Sequence, residues 1–265
     1  MSASSTLPIP YLRLRQVCLV APELAPAVAA VQAVFGLPVC YRDPQVAAFG
    51  LENALFALGE SFLEIVAPTR PDTAAGRFLQ RSGGLGGYML IFDCDDPAPY
   101  RARAAAAGVR VAYEIDHPGY RGVQLHPRDC RAAMLEFDHT DGGEPLDGPY
   151  HPAGPDWQAA RRPARVSALR CAEVETPDPA GLAAHWAGLM AVPAQADAAG
   201  GASLRFDAGA VRILAAPPGT PERVSGLQLA VADPAAVLAA AADAGLRVAR
   251  DRLWLCGVGI EPVLA

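Results

Sequence analysis

The sequence predicts an α+β protein built from four β-α-β-β-β modules arranged in two pairs. The first observation is an internal repeat: AAAAGVRVA at 104–112 returns as AADAGLRVA at 241–249, with seven of nine positions identical. The second is that LRQVCLVAPEL at 14–24 returns as LRCAEVETPDP at 169–179. Each copy falls at the same place in a pattern of strands and helices. Such a repeat indicates duplicated structural units and allows equivalent positions to be compared within one chain.

The elements of the first half follow from alternation and from turn residues. Alternating Leu and Val predict a strand at 12–20, and a helical pattern at 26–35 ends at Gly36. The other strands of the first module are predicted at 38–42, 45–51, 54–58 and 61–67. The second module is predicted as a strand at 87–93, a helix at 97–107 and strands at 109–115, 121–126 and 132–138.

Residues 141–165 are rich in Gly and Pro and lack periodicity, which is typical of a linker. We therefore expect an N-terminal domain at 1–140 and a shorter C-terminal domain at 166–265. The third module is predicted as a strand at 166–175, a helix at 179–190 and strands at 203–207 and 210–216. The fourth is predicted as a strand at 226–232, a helix at 234–244 and strands at 246–250, 252–256 and 258–264.

Composition narrows the function classes. The formal net charge is −6, and no block rich in basic residues appears, which argues against a nucleic-acid partner. All 22 basic residues are Arg, so lysine Schiff-base chemistry and a phosphate-binding loop lysine are excluded. The six cysteines form no C-x-x-C pair and are expected to be reduced thiols of a cytoplasmic protein. No secretory segment and no membrane-spanning apolar run is found in the sequence, so no membrane partner is expected.

Two segments carry a resemblance to a known superfamily. LENALFALGESFLEIVAPT at 51–69 is similar to the end of a glyoxalase-like module, and VQLHPRDCRAAMLEF at 123–137 to the end of an epimerase-type module. With the four paired modules, they make nearly the whole chain resemble the vicinal oxygen chelate superfamily. That group includes glyoxalase I, methylmalonyl-CoA epimerase, extradiol dioxygenases and bleomycin-resistance proteins. The resemblance implies two domains with half-open barrel sheets, but it does not settle the reaction.

The resemblance also implies a site on the first and last strands of each module. Gln16 holds a position where the superfamily usually has His or Gln, and Glu64 and Glu136 hold two carboxylate positions. Met89 stands where a His is common. An ionised Glu on an apolar strand is costly to bury alone, so we expect Glu64 and Glu136 to face a shared cleft. Either a divalent cation or a solvent-filled cleft with hydrogen-bonding partners would explain the pair. The alternative without a functional role is that each Glu is simply solvated on a half-exposed strand.

The sequence does not decide whether this site binds a metal ion. Gln16, Glu64 and Glu136 would supply oxygen ligands, which favour Mg²⁺ or Mn²⁺, with Ni²⁺, Co²⁺ or Zn²⁺ as other candidates, or no metal. Met89 is a soft thioether and suits these ions poorly. The matching positions of the second domain are expected to be Cys171, Ile213, Gly226 or Leu227, and Glu261. We therefore expect that domain to hold no metal. The two-His-one-carboxylate set of iron dioxygenases is absent from the sequence, so a dioxygenase is not expected.

These observations leave three hypotheses for function. The first is an enzyme of the lyase or isomerase type, in which Glu64 and Glu136 carry out proton transfer on a small oxygen-rich metabolite. Asn53, His117, Tyr120 and Met89 are the candidate substrate contacts. The second is a binding protein that sequesters a small molecule unchanged, as bleomycin-resistance proteins do. The third is a structural role. The sequence leaves open whether the chain forms a homodimer.

Overall fold

A computed structural model describes residues 10–265 and shows an α+β fold with two curled, open sheets. The strands of the first sheet are β1 (Leu12–Val20), β2 (Leu51–Leu58), β3 (Ser61–Pro68), β4 (Gly87–Cys94), β5 (Val111–His117), β6 (Tyr120–Leu125) and β7 (Met134–Thr140). The accompanying helices are α1 (Leu24–Phe35), α2 (Ala74–Arg81), α3 (Ala98–Ala106) and α4 (Pro127–Cys130).

The second sheet is built from the residues after 165. Its strands are β8 (Val166–Thr176), β9 (Ala194–Ala196), β10 (Ala202–Arg205), β11 (Ala210–Ala215), β12 (Arg223–Val231), β13 (Val248–Ala249), β14 (Arg252–Leu255) and β15 (Val258–Leu264). Its helices are α5 (Pro179–Met190) and α6 (Pro234–Asp243).

Strand order shows how the modules are paired. The first sheet runs β2-β3-β1-β4-β7-β6-β5 and the second runs β13-β14-β15-β12-β8-β11-β10-β9. In each sheet the first strands of two modules lie side by side and antiparallel, and each also pairs in parallel with the last strand of its own module. This arrangement confirms the predicted fold class of two vicinal-oxygen-chelate-type sheets. It also places the strands that carry Gln16, Glu64 and Glu136 in the middle of the first sheet.

The first module differs from the prediction. The strands expected at 38–42 and 45–51 are wrong: only an isolated bridge joins Tyr41 to Leu55, and Pro44–Phe49 form a 3₁₀ helix. The Asp43 carboxylate accepts a hydrogen bond from the Gln45 backbone N–H, and Pro44 fixes the first turn, so this stretch coils instead of extending.

Helix α2 was not expected from the sequence. It begins after Thr73, whose hydroxyl accepts a hydrogen bond from the Gly76 backbone N–H. Its apolar residues Ala75, Phe78 and Leu79 contact Val20, Val66 and Met89 at one end of the concave face of the first sheet. The helix therefore narrows the cleft that the two sheet halves form.

The segment at 141–165 covers the other end of that face. It contains two 3₁₀ helices, His151–Ala153 and Trp157–Ala160. The side chains of Tyr150 and Trp157 are buried against Phe62, with ring centroids 4.9 and 5.0 Å away. A continuous apolar core includes residues of both sheets, and the division into domains at 140 and 166 stays a prediction. No helix within residues 10–265 is long and apolar enough to span a membrane.

Candidate active site in the N-terminal sheet

Alternation along the strands sends polar side chains to the concave face of the first sheet. Glu64 on β3 lies opposite Cys18 on β1, and Cys18 lies opposite Met89 on β4. In the adjacent row, Gln16 lies opposite Ile91, which pairs with Glu136 on β7. Because side chains two residues apart share a face, Gln16, Cys18, Glu64 and Glu136 all project into the same concavity.

Glu64 is fixed by two amides. The Gln16 side chain donates from Nε2 to Oε2 of Glu64 across 2.8 Å, and the Asn53 side chain donates from Nδ2 to Oε1 across 2.7 Å. Only 7% of Glu64 is exposed. Burial raises the pKa of the Glu64 carboxyl, and hydrogen bonds from Asn53, Cys18 and Gln16 act in the opposite direction. The structure therefore brings three of the predicted site residues, Gln16, Asn53 and Glu64, into direct contact.

Glu136 has its own set of donors. Gln124 donates from Nε2 to Oε2 of Glu136 across 2.9 Å, and the Tyr120 hydroxyl lies 3.3 Å from Oε1. The same hydroxyl lies 3.2 Å from Asp138, a second buried carboxyl on β7. Tyr120, a predicted substrate contact, is thus a partner of Glu136 in this structure.

The two carboxylates interact electrostatically. The pKa of Glu136 is raised to about 7: burial is the largest cause, the charge of Glu64 adds to the rise, and hydrogen bonds from Gln124 and Tyr120 oppose it. On a flat sheet, three strand spacings of about 4.8 Å would separate β3 from β7. The effect of the Glu64 charge on Glu136 indicates that the curl of the sheet reduces this separation. The pair therefore supplies one carboxyl that changes protonation near neutral pH.

Three buried residues of this cleft retain polar atoms without a partner among residues 10–265. They are Arg15 at Nε and Nη1, Gln16 at Oε1 and Asp138 at Oδ1. Arg15 is 1% exposed and lies among the rings of Phe62, Tyr150 and Trp157, with its Nη2 donating to the Leu146 carbonyl across 2.6 Å. Buried donors without acceptors are uncommon and mark a place where a polar molecule would gain hydrogen bonds.

The sequence did not single out Arg15 or Asp138. Asp138 is two residues after Glu136 on the same strand, which is a signal that alternation could have given. Arg15 reaches this cleft where the pairing of β1 with β4 shifts between Leu14 and Gln16, and such a shift has no sequence signature here.

Two other predicted site residues lie away from the polar cluster. Met89 packs in an apolar group with Cys18 and α2. His117, at the end of β5, has its ring centroid 6.4 Å from that of His151, which in turn stacks on Tyr120 at 4.5 Å. His117 is also the strand partner of Tyr120 across β5 and β6, but within residues 10–265 its side chain forms no hydrogen bond with Glu64 or Glu136.

The donor set as it stands does not fit a metal ion. Both oxygens of Glu64 and both oxygens of Glu136 already accept hydrogen bonds, and Gln16 turns its amide nitrogen toward Glu64. Within residues 10–265, no group of three or more His, Cys, Asp or Glu side chains could hold a metal ion.

Comparison with known proteins identifies the family. The sequence profile described as a glyoxalase-like domain matches residues 17–190. The chain belongs to this family. The match confirms that this glyoxalase-like protein resembles the vicinal oxygen chelate superfamily, as its sequence motifs indicated. No curated protein matches it.

Solved structures also match the chain. A hypothetical protein from Staphylococcus aureus is 11% identical to the glyoxalase-like chain, with a TM-score of 0.62 over 95% of this chain and 100% of that one. This similarity shows the shared fold. Methylmalonyl-CoA epimerase in complex with methylmalonyl-CoA and NH₄⁺ is 26% identical, with a TM-score of 0.44, over 49% of this chain and 95% of that one. A variant of the Streptomyces coelicolor enzyme in complex with 2-nitronate-propionyl-CoA gives the same values.

Proposed function

We propose that the protein catalyses a lyase- or isomerase-type proton transfer on a small oxygen-rich metabolite, with Glu64 and Glu136 as the acid–base pair. The observation that supports this proposal is the pair itself. Two buried carboxylates project into one concavity, and each is oriented by side-chain hydrogen bonds. A group that must take a proton from a chosen position needs such fixed geometry.

Glu136 is suited to exchange a proton near neutral pH. A carboxyl with a pKa of about 7 is present in both protonation states there, so it removes a proton as carboxylate and returns one as carboxylic acid. Glu64 accepts hydrogen bonds from two amides at 2.7 and 2.8 Å, which favour its ionised form and oppose the rise that burial causes in its pKa. In this proposal Glu64 keeps its charge and thereby maintains the raised pKa of Glu136, while it faces the substrate from the opposite side of the cleft.

The metal-independent form is the one we propose. In the metal-assisted form, Gln16 would have to turn its amide oxygen toward an ion that also displaces the donors of Glu64 and Glu136. Thermal unfolding with added Mg²⁺, Mn²⁺, Ni²⁺, Co²⁺ or Zn²⁺ separates the two forms. We expect no rise in Tm, because both carboxylate oxygens of Glu64 and of Glu136 already accept hydrogen bonds. A rise that Gln16→Leu abolishes would support the metal-assisted form instead.

A binding protein is the second candidate. Glu64 and Glu136 expose only 7% and 4% of their surface, and the segment at 141–165 covers part of the cleft. A site closed to this degree suits retention of a ligand as well as turnover. In this alternative the polar atoms of Arg15, Gln16 and Asp138 that lack partners would bind the ligand without chemistry.

Deuterium incorporation from D₂O tests the catalytic proposal directly. The protein is incubated with a panel of small 2-substituted acids and their thioesters, and exchange of the proton at carbon 2 is followed by NMR. We expect exchange with at least one compound, reduced about 100-fold or more in Glu136→Gln and Glu64→Gln. Glu52→Gln is the matched control, since Glu52 is exposed on β2. A compound that binds but never exchanges would overturn catalysis in favour of binding.

We also infer a cytoplasmic location and a small-molecule partner. All six cysteines are free, and four of them are buried, which suits a reducing compartment. A homodimer stays a prediction, and sedimentation velocity of the purified chain tests it.

A further inference from the structure

The concave face of the second sheet is basic, whereas that of the first sheet is acidic. Arg212 on β11 lies opposite Glu173 on β8, just as Glu64 lies opposite Cys18 in the first sheet. The register therefore corrects the equivalence expected for Ile213: the position of Glu64 is held by an arginine. Glu261 does match Glu136, and Arg252 donates to it across 2.8 Å as Gln124 donates to Glu136.

A cavity of about 530 Å³ opens on this face. Its walls include Arg223, Arg247, Arg252, Glu175, Trp254 and the backbone of Gly259. Leu85, from the loop before β4, closes one side, so both halves of the chain shape the cavity. The volume is within the range of sites that bind small metabolites.

The carboxylates around this cavity are already neutralised. Glu173, 1% exposed, accepts hydrogen bonds from Arg212 at 3.0 Å and from Arg252 at 2.5 and 3.1 Å. Glu175 pairs with Arg223 at 2.7 Å, and Glu261 pairs with Arg252. Three carboxylates are thus matched by three guanidinium groups.

Gly226 makes the buried pair possible. A Cβ atom at this position would lie 2.4 Å from Oε2 of Glu173 and 2.9 Å from Nη1 of Arg252. Met89 occupies the matching position in the first sheet, where Cys18 replaces the carboxylate. The second face is therefore built around an ion-pair network and not around an apolar pair.

Arg247 differs from the other arginines of the cavity wall, which are paired with carboxylates. Its guanidinium lies 4.2 Å from the centroid of the Trp254 ring and forms no ion pair with any carboxylate of residues 10–265. The indole N–H of Trp254 also lacks an acceptor within the described part of the chain. The cavity wall thus combines a stacked guanidinium without a counter-ion, a second N–H donor and an apolar surface.

We propose that this cavity binds a small organic oxyanion, a carboxylate or a phosphate ester with an apolar body, and that Arg247 is its main charge partner. A guanidinium pairs well with either group through parallel N–H donors. Trp254 and Leu85 contact the apolar part of the ligand. The site is separate from the Glu64 and Glu136 cleft.

Calorimetric titration of the full chain with benzoate, phenyl phosphate and benzyl alcohol tests the proposal. The first two probes carry a carboxylate and a phosphate on the same ring, and the alcohol is their neutral counterpart. We expect at least one anion to bind, with affinity reduced about tenfold or more in Arg247→Gln and at high salt. Arg250→Gln, an exposed arginine outside the cavity wall, is the matched control and should bind as the original chain does.

Binding of neither anion at millimolar concentration, equal binding of benzyl alcohol, or equal weakening by Arg250→Gln would overturn the proposal. Glu136→Gln must leave anion binding unchanged, because the two sites are separate. Since Arg247 is exposed, its substitution leaves the fold intact, and a circular dichroism spectrum checks this.

Discussion

Glu64 and Arg212 occupy the same register position in the two halves of the chain. In the first half the carboxylate meets two amides and remains close to a second carboxylate, whereas in the second half the arginine neutralises the buried Glu173. One duplicated scaffold therefore presents an acidic concave face and a basic one. The acidic face suits proton transfer, and the basic face suits anion binding.

The raised pKa of Glu136 predicts a specific pH dependence of stability. Its pKa in the folded chain is about 7 against an ordinary value of 4.5, so the folded state binds more protons between these values. The free energy of unfolding contributed by Glu136 is complete below about pH 4.5 and is lost as pH rises to 7, at about 1.4 kcal/mol per pKa unit. Urea unfolding from pH 4.5 to 8 should show a shallower decline in Glu136→Gln. An unchanged slope would contradict the burial of an ionisable Glu136.

The burial of Trp157 indicates that the 141–165 segment is part of the folded unit. Its ring is fully buried and contacts Phe62, and its Nε1–H donates to the Gly148 carbonyl across 3.2 Å. We expect Trp157→Ala to lower the free energy of unfolding by about 3–5 kcal/mol. Phe49→Ala, at a ring that is 46% exposed, is the control and should cost less than about 1 kcal/mol. Equal effects in denaturant unfolding would show that the segment does not pack as described.

Substitution by Ala should have opposite effects on stability at two glycines, Gly226 and Gly188. Gly226→Ala places a methyl group against the Glu173 and Arg252 pair and should destabilise the chain by about 1–3 kcal/mol. Gly188→Ala lies on the exposed side of α5, where a Cβ meets no atom within 4 Å, and should stabilise by roughly 0.5–1 kcal/mol. Thermal unfolding of both variants measures the signs. A neutral Gly226→Ala would mean that the ion-pair network has room to move.

Much of the scaffold could be predicted because local rules and the repeat agree. β1, α5 and β15 have clear periodicity, and Gly36 ends α1 in the left-handed conformation, with φ 66°. The first module was predicted less well because side-chain capping by Asp43 and Thr73 sets local structure that alternation does not reveal.

The candidate site could be predicted only in part, because alternation within a strand does not show which side chains of other strands lie next to it. Alternation placed Gln16, Glu64 and Glu136 on one face, but their partners come from distant strands. Gln124 meets Glu136 only through the pairing of β6 with β7, and Asn53 meets Glu64 only through the pairing of β2 with β3. The register of β11 decided between Ile213 and Arg212, and one residue of register moves a side chain to the other face.

Glu64 and Glu136 form an interacting buried pair, and titration of the Glu136 carboxyl measures this interaction. Carbon-13 NMR of labelled glutamate carboxyls, assigned with Glu136→Gln, follows this group in the original chain and in Glu64→Gln. We predict a pKa of about 7 for Glu136, which falls when Glu64 becomes neutral because the charge of Glu64 raises it. A Glu136 pKa near 4.5 that is the same in both chains would show that Glu136 is not part of an interacting buried pair.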